Sequence, residues 1–322
     1  SASTSRITRM IYTPDLELTQ AALASSTLSH GLKVFGDRWT VQVMLSAFLG
    51  VRRFDELQNF SNIPRPTLSD RLRSLVQIGV IKPRLYQDNP PRHEYHLTRK
   101  GLGLYDATLM IWAWEKKWGQ RAQDLPKKLF HQTCQHHFNP TLCCKACGEK
   151  ISMKDLDYSL VPNPRLRHQP LEGLRTPRMS VREARDMSLG LRVDRWSLLI
   201  LTAVVLGCHY FDQITHVLGI GPKVLSRRLS DMVECHLLSC ETDGQDARRR
   251  LYRLTPSSRD LFGYIVCLSN WASESHLHEH SSIRPRHRAC QHRFFPMVAC
   301  DHCHQNLNPW EVSFPTSDVK AP

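Results

Sequence analysis

Residues 54–98 read FDELQNFSNIPRPTLSDRLRSLVQIGVIKPRLYQDNPPRHEYHLT. Phe54, Leu57 and Phe60 recur at helical spacing, which predicts a short amphipathic helix over 54–60. Ser61-Asn62-Ile63-Pro64 is built of turn residues. A second helix follows, with Leu68, Leu72, Leu75 and Val76 on one face, and Gly79 stops it. Two strand-like runs, 80–86 and 93–98, are joined by Gln87-Asp88-Asn89-Pro90-Pro91-Arg92. Upstream, 39–49 is apolar throughout and closes at Gly50, as a central core helix would. Downstream, 102–118 is predicted as one long helix carrying Trp112, Trp114 and Trp118, and 16–35 forms a further helix.

The same pattern returns 157 residues later. Asp37-Arg38-Trp39 falls on Asp194-Arg195-Trp196, Phe54-Asp55 on Phe211-Asp212, and Arg71-Leu72 on Arg228-Leu229. Tyr95, Leu97 and Thr98 meet Tyr252, Leu254 and Thr255, and Trp114 meets Trp271. The chain is two copies of one unit. The expected fold class is mainly α with small β-wings: two winged helix-turn-helix domains, each followed by a small zinc-ribbon-like Cys/His segment. The boundaries expected are a flexible N-terminus (1–15), copy one (16–120), its tail (121–158), a proline-rich basic linker (159–185), copy two (186–280), its tail (281–314) and a flexible end (315–322).

Two helices joined by a tight turn and followed by a basic hairpin point to duplex DNA. The apolar face of the second helix packs on the core, and short polar and Arg side chains at its start reach base edges in the major groove. Cations on the hairpin grip phosphate or the neighbouring minor groove. The residues expected at DNA are Arg65, Thr67, Ser69, Asp70, Arg71 and Arg73 on the first recognition helix, with Arg84, Arg92 and His93 on its wing. In copy two they are Lys223, Ser226, Arg227 and Arg228, with Arg248, Arg249 and Arg250 on the wing. A formal net charge of +13 suits a polyanionic partner, because neutralised phosphates release counterions.

Copy one resembles the HxlR-type regulators, a bacterial winged helix group. The resemblance rests on Gly36-Asp37-Arg38-Trp39-Thr40, Arg53-Phe54-Asp55-Glu56-Leu57, Thr67-Leu68-Ser69-Asp70-Arg71-Leu72 and the wing from Pro90 to Thr98, and it covers 28–118. Copy two departs from it in the wing, with Asp246-Ala247-Arg248-Arg249-Arg250, and in Pro222-Lys223-Val224 at the start of the recognition helix. The resemblance implies dimers whose recognition helices lie one DNA turn apart, roughly 34 Å. For a tandem chain it implies an intrachain pseudo-dimer; two independent units pairing with other chains is the other reading. Where some family members carry a sensing Cys, this chain has Ser26 and Glu183.

Eleven Cys are placed unevenly, with none before Cys134 and seven in two short clusters. After copy one comes His131-x2-Cys134-x9-Cys144-x2-Cys147, and after copy two His287-x2-Cys290-x9-Cys300-x2-Cys303. A C-x2-C knuckle with a further Cys and His completes a tetrahedral Zn²⁺ site with no open position. Each tail is therefore expected to hold one structural zinc, two per chain, with His136 and His292 as alternatives for the fourth ligand. The scattered Cys208, Cys235, Cys240 and Cys267 read as ordinary thiols.

The sequence shows no phosphate-binding Gly loop, nucleophile elbow or H-E-x-x-H, so no enzyme is expected. No apolar run is long enough for a bilayer, and no secretory leader opens the chain, which predicts a cytoplasmic, nucleoid-associated protein with no membrane partner. The function expected is a sequence-specific transcriptional regulator; the alternative is a zinc-dependent protein- or RNA-interaction module. Trp112 and Trp271 line either plain core or an apolar cleft for a small-molecule effector.

Overall fold

The computed structural model describes residues 13–119, 125–161, 193–275 and 281–315. Copy one is built of α1 (Leu16–Ala24), α2 (Thr27–Phe35), α3 (Arg38–Phe48), α4 (Phe54–Ser61), α5 (Arg65–Gln77), a hairpin of β1 (Ile81–Gln87) and β2 (Arg92–Leu97), α6 (Arg99–Leu102) and α7 (Tyr105–Trp118). Its tail holds β3 (Leu129–His131), β4 (His136–Phe138), β5 (Pro140–Cys144), a 3₁₀ turn and β6 (Leu156–Leu160). Copy two repeats the plan with α8 (Arg195–Val205), α9 (Phe211–Leu218), α10 (Pro222–Glu234), β7 (Leu238–Thr242), β8 (Arg250–Leu254), α11 (Pro256–Asp260) and α12 (Phe262–Glu274). Its tail holds β9 (Ile283–His287), β10 (Pro296–Cys300) and β11 (Val312–Ser313). Most of the expected linker lies outside the described residues, but Ser159 and Leu160 at its start belong to β6, paired with Arg284 and Ile283. No described helix is long and apolar enough to cross a membrane.

Local rules explain most of these bounds. Asp37 caps α3 by accepting from the Trp39 and Thr40 amides, and Asp194 caps α8 in the same way. The turn between the two helices of each head needs a left-handed residue, which Asn62 supplies in copy one (φ 51°) and Gly219 in copy two (φ 60°). Leu68, Leu72 and Leu75 bury one face of α5, and Leu225, Leu229 and Met232 do so in α10.

Two predicted helices are broken. The stretch over 16–35 splits at Ser25-Ser26, because the Ser26 hydroxyl accepts from the Ser29 amide at 3.0 Å and restarts the chain as α2. The stretch over 102–118 is interrupted near its start, where Leu102 ends α6 and Tyr105 opens α7. At this break the Trp271 indole arrives from copy two and donates to the Lys100 carbonyl at 2.9 Å. A Cβ on Gly103 would lie 3.2 Å from that ring.

The copies pack on each other through their helices. Trp114 donates to the Ser257 carbonyl at 2.7 Å, while Trp271 donates to Lys100. Lys100 and Ser257 are themselves equivalent positions, so each copy gives the other the same bond. Phe35 meets Trp271 edge-on at 5.1 Å between ring centres. Helix α2 lies against α12 closely enough that a Cβ on Gly31 would sit 3.3 Å from the Ala272 Cβ. Helix α1 crosses to α9, where Gln20 donates to the His216 carbonyl and Glu17 meets the His216 ring at 2.9 Å. One apolar cluster of buried residues runs through both copies.

The tails also interleave. Strand β5 of tail one pairs antiparallel with β10 of tail two, with Leu142 opposite Val298. The last strand of each tail pairs with the first strand of the other, β6 with β9 and β11 with β3.

Candidate metal centres and nucleic-acid interface

The interleaved strands bring the eight predicted Cys/His ligands together in two groups, in a different combination from the one their spacing suggests. His131 and Cys134 of tail one meet Cys300 and Cys303 of tail two; Cys144 and Cys147 of tail one meet His287 and Cys290 of tail two. Ligand sets confined to one tail, as expected from each H-x2-C…C-x2-C run, do not form. The reason is topological: β5 and β10, which end at Cys144 and Cys300, pair side by side and run in opposite directions. Each C-x2-C knuckle is thereby delivered to the far tail's H-x2-C turn.

The spacing of the donor atoms fits zinc. Tetrahedral Zn²⁺ with Zn–S near 2.3 Å and Zn–N near 2.0–2.1 Å sets S···S edges of about 3.8 Å and S···N edges of about 3.5 Å. In the first group Cys134 Sγ lies 3.9 Å from Cys300 Sγ and 3.5 Å from His131 Nδ1, and Cys303 Sγ lies 3.4 Å from the same Nδ1. In the second, Cys144 Sγ lies 3.9 Å from Cys290 Sγ, and His287 Nδ1 lies 3.4 Å from Cys147 Sγ and 3.2 Å from Cys290 Sγ. Within each group all ligand atoms fall within 4.8 Å of one another. His131 and His287 are both buried, each presenting Nδ1. His131 and His287 complete the two four-donor groups, whereas the exposed His136 stacks on His302 at 3.6 Å and makes with it and Cys134 a third, three-donor group.

The turns that aim the thiols repeat as well. Gln135 and Gln291 adopt φ of 59° and 61°, donating back to the His131 and His287 carbonyls. Gly148 and His304 do the same behind the knuckles. Crowded thiols without a cation cannot ionise together. Hydrogen bonding, led by the His292 amide, pulls Cys290 down to about 6, whereas burial first of all pushes Cys300 up to about 11. Cys143 is buried beside the knuckle but belongs to neither group.

In the heads, Arg65, Asp70 and Arg73 stand exposed on α5, with Thr67 and Ser69 half-buried between them. On α10 the exposed residues are Lys223, Ser226 and Arg227, together with Val224 at 52% exposure, which sequence reasoning passed over. Val224 stands at the position equivalent to Thr67, so an isopropyl group replaces a hydroxyl-bearing side chain there.

Arg71 and Arg228, expected among the base readers, are held elsewhere. Arg71 Nε donates to Asp37 at 3.1 Å, and Arg228 to Asp194 at 2.7 Å, each tying the recognition helix to the cap of the core helix. The signal was present in the repeat itself, because Asp37/Arg71 and Asp194/Arg228 recur together.

The wings carry Arg84, Arg92, His93, Arg248 and Arg250 exposed. Arg249 is drawn back, 3.0 Å from Asp212 and stacked 3.9 Å over the Tyr210 ring. In copy one a different residue fills that role, Arg53, bound to Glu94 at 3.2 Å and lying over Tyr86.

The HxlR-like helix-turn-helix family model matches the chain twice, at residues 34–123 and 192–280. An HTH-type transcriptional regulator of Mycobacterium tuberculosis is 41% identical over 143 residues, covering 42% of this chain and 90% of that protein. The HTH-type regulator YdeP of Bacillus subtilis is 31% identical over 99 residues, covering 30% of this chain and 74% of its own length. The chain belongs to the HxlR-like helix-turn-helix family, as a tandem pair of its units, and is a DNA-binding transcriptional regulator.

Proposed function

We propose that this regulator reads an asymmetric duplex site as a single-chain pseudo-dimer, its two unequal heads held in register by two structural zinc ions. One observation carries the reading: each of the two four-donor groups draws two residues from each tail. An ion so placed is a cross-link as well as a fold nucleus. Small tails that bury little take their folding free energy from such coordination. The reciprocal Trp114–Ser257 and Trp271–Lys100 bonds support the same two-fold arrangement, which is the isologous contact of a dimer built inside one chain. On DNA, Arg65, Thr67, Ser69, Asp70 and Arg73 read one half-site and Lys223, Val224, Ser226 and Arg227 the other. Arg84, Arg92, His93, Arg248 and Arg250 grip backbone. Steep salt dependence and preference for one duplex over competitor DNA are expected. Binding of RNA or protein in place of duplex would overturn the assignment.

The shared ligation has a direct test. The double variant Cys134→Ser/Cys303→Ser removes two donors from one shared site and leaves the other whole, so one zinc per chain remains by elemental analysis. Under ligation within each tail the same variant damages both sites and retains none. The variant Cys134→Ser/Cys147→Ser gives the opposite outcomes, losing both ions under shared ligation.

A further inference from the structure

The duplicated unit offers an internal control for its own packing, and at one place the copies differ in volume. In copy one, Phe48 and Tyr105 lie ring to ring at 5.2 Å, and the Trp112 indole donates to the Pro126 carbonyl at 3.2 Å. The equivalent positions in copy two are Val205, Phe262 and Ser269. Two large rings have become an isopropyl group and a hydroxymethyl group. Val205 and Ser269 both line a pocket of about 70 Å³.

Its walls come from both copies and both tails: Leu28 of α2, Val205 of α8, Phe262 and Ser269 of α12, Tyr158 of β6 and Ile283 of β9. The lining is overwhelmingly apolar. The Ser269 hydroxyl is already engaged with Thr27 at 2.6 Å. Tyr158 is different. Its hydroxyl is buried and has no hydrogen-bond partner among the described residues. A buried hydroxyl without a partner is costly, and so is apolar wall left without contacts. Both costs are relieved by one kind of occupant. Tyr158 and Val205 also border a wider surface cleft, which gives a route in from solvent.

We propose that this pocket is a ligand site of the regulator, taking a compact, mostly apolar, ring-sized molecule that carries one hydrogen-bonding oxygen for the Tyr158 hydroxyl. A largely apolar lining with a few placed polar groups is the ordinary form of small-molecule sites. None of the expected DNA-reading residues lines the site, but Tyr158 and Ile283 stand on the paired tail strands β6 and β9, so its test uses the metal-loaded chain.

The test uses 2-naphthol and naphthalene as probes on the full-length, metal-loaded chain, followed by calorimetry and tryptophan fluorescence. The parent protein should bind 2-naphthol saturably with one equivalent. Ser269→Trp and Val205→Phe, which restore the residues of copy one, should each weaken binding by at least roughly ten-fold, or about 1.4 kcal/mol, while melting no lower than the parent. Tyr158→Phe should weaken 2-naphthol several-fold and leave naphthalene unchanged, a split that a general loss of packing would not give. If Ser269→Trp fails to fold, Val205→Phe and Tyr158→Phe decide the matter. Absence of saturable binding by the parent, or equal affinity in the filled variants, would overturn the proposal.

Discussion

Copy one and copy two repeat each other's Trp bonds and thiol contributions across their contact but differ in the residues they turn outward. Trp114 and Trp271 make the same bond to the same backbone position of the opposite copy, and each tail lends the other the same two thiols. Facing outward, Arg65, Thr67, Asp70 and Arg73 of the first recognition helix become Pro222, Val224, Arg227 and Ser230 in the second, and Arg84 of the first wing becomes Glu241. A residue at the contact between the copies needs a fitting partner on the other copy, so a change there is felt across the interface. Residues turned towards DNA carry no such constraint. The difference is what the proposed function expects, with inward residues serving assembly and outward ones discriminating between two half-sites.

The largest effect is expected where the copies share ligands. Removing zinc with a strong chelator should unfold both tails together, because apparent binding energies of roughly 10–16 kcal/mol are typical of structural zinc in small modules. Hydrogen exchange should show amides in β3 to β6 and β9 to β11 losing protection while α3 and α8 keep theirs. Tails that stay protected without metal would break the symmetry argument at its centre.

The ion pair under each recognition helix is shared in kind but not in depth. The Asp194 and Arg228 side chains are 6% and 16% exposed, against 21% and 29% for Asp37 and Arg71. Removing one partner of a buried pair strands the other charge, so Arg228→Ala should cost about 3–5 kcal/mol. Arg71→Ala, at the wetter pair, should cost about 1 kcal/mol. Denaturant titration of the two variants measures the gap, and equal losses would mean that the heads are equally anchored.

Asp106 has no counterpart, since Gly263 stands at its position in copy two. Burial, with the charge of Glu274 adding to it, raises its carboxyl to about 7, against opposing help from the Val298 amide and Lys145. A carboxyl raised on folding holds its proton more tightly in the native state. The native state is therefore favoured below the ordinary value near 3.8 and loses that advantage as pH climbs to about 7. Asp106→Asn should consequently gain melting temperature relative to the parent between pH 4 and 7, with no further gain above. Parallel melting curves across that range would show the carboxyl to be ordinary.

Much of this was legible in the sequence and some was not, for identifiable reasons. The helix-turn-helix and hairpin were written in local patterns: Leu68, Leu72 and Leu75 at helical spacing, a turn at Asn62, a stop at Gly79. The six Cys that converge on the two groups were legible from their spacing, and the two His only as alternatives to His136 and His292. Their pairing was not, because H-x2-C and C-x2-C describe each half-site alone, and only the antiparallel pairing of β5 with β10 decides which halves meet. Arg71 and Arg228 looked like groove residues because a helical wheel shows direction but not what waits there, here the Asp cap of the core helix. The pocket at Val205 and Ser269 was invisible for the opposite reason: it is made by what those side chains lack, and only the alignment of the copies exposes the missing rings.

The smallest expected effect lies at the wing tips and bears on the outward asymmetry. Arg92 and Arg249 occupy equivalent positions, yet Arg249 is held by Asp212 at 3.0 Å and by the Tyr210 ring, while Arg92 has no ion-pair partner among the described residues. A guanidinium free to meet phosphate releases a counterion on binding, whereas one already neutralised by a carboxylate contributes little. Arg92→Ala should therefore reduce the slope of log affinity against log salt by about one, with sequence preference intact. Arg249→Ala should leave the slope nearly unchanged, and Asp212→Asn, which frees Arg249, should steepen it. Equal slope losses from Arg92→Ala and Arg249→Ala would mean that DNA pulls Arg249 away from Asp212. The wings would then be equivalent on the duplex, leaving Thr67 against Val224 and their neighbours on the recognition helices to carry the difference between the heads.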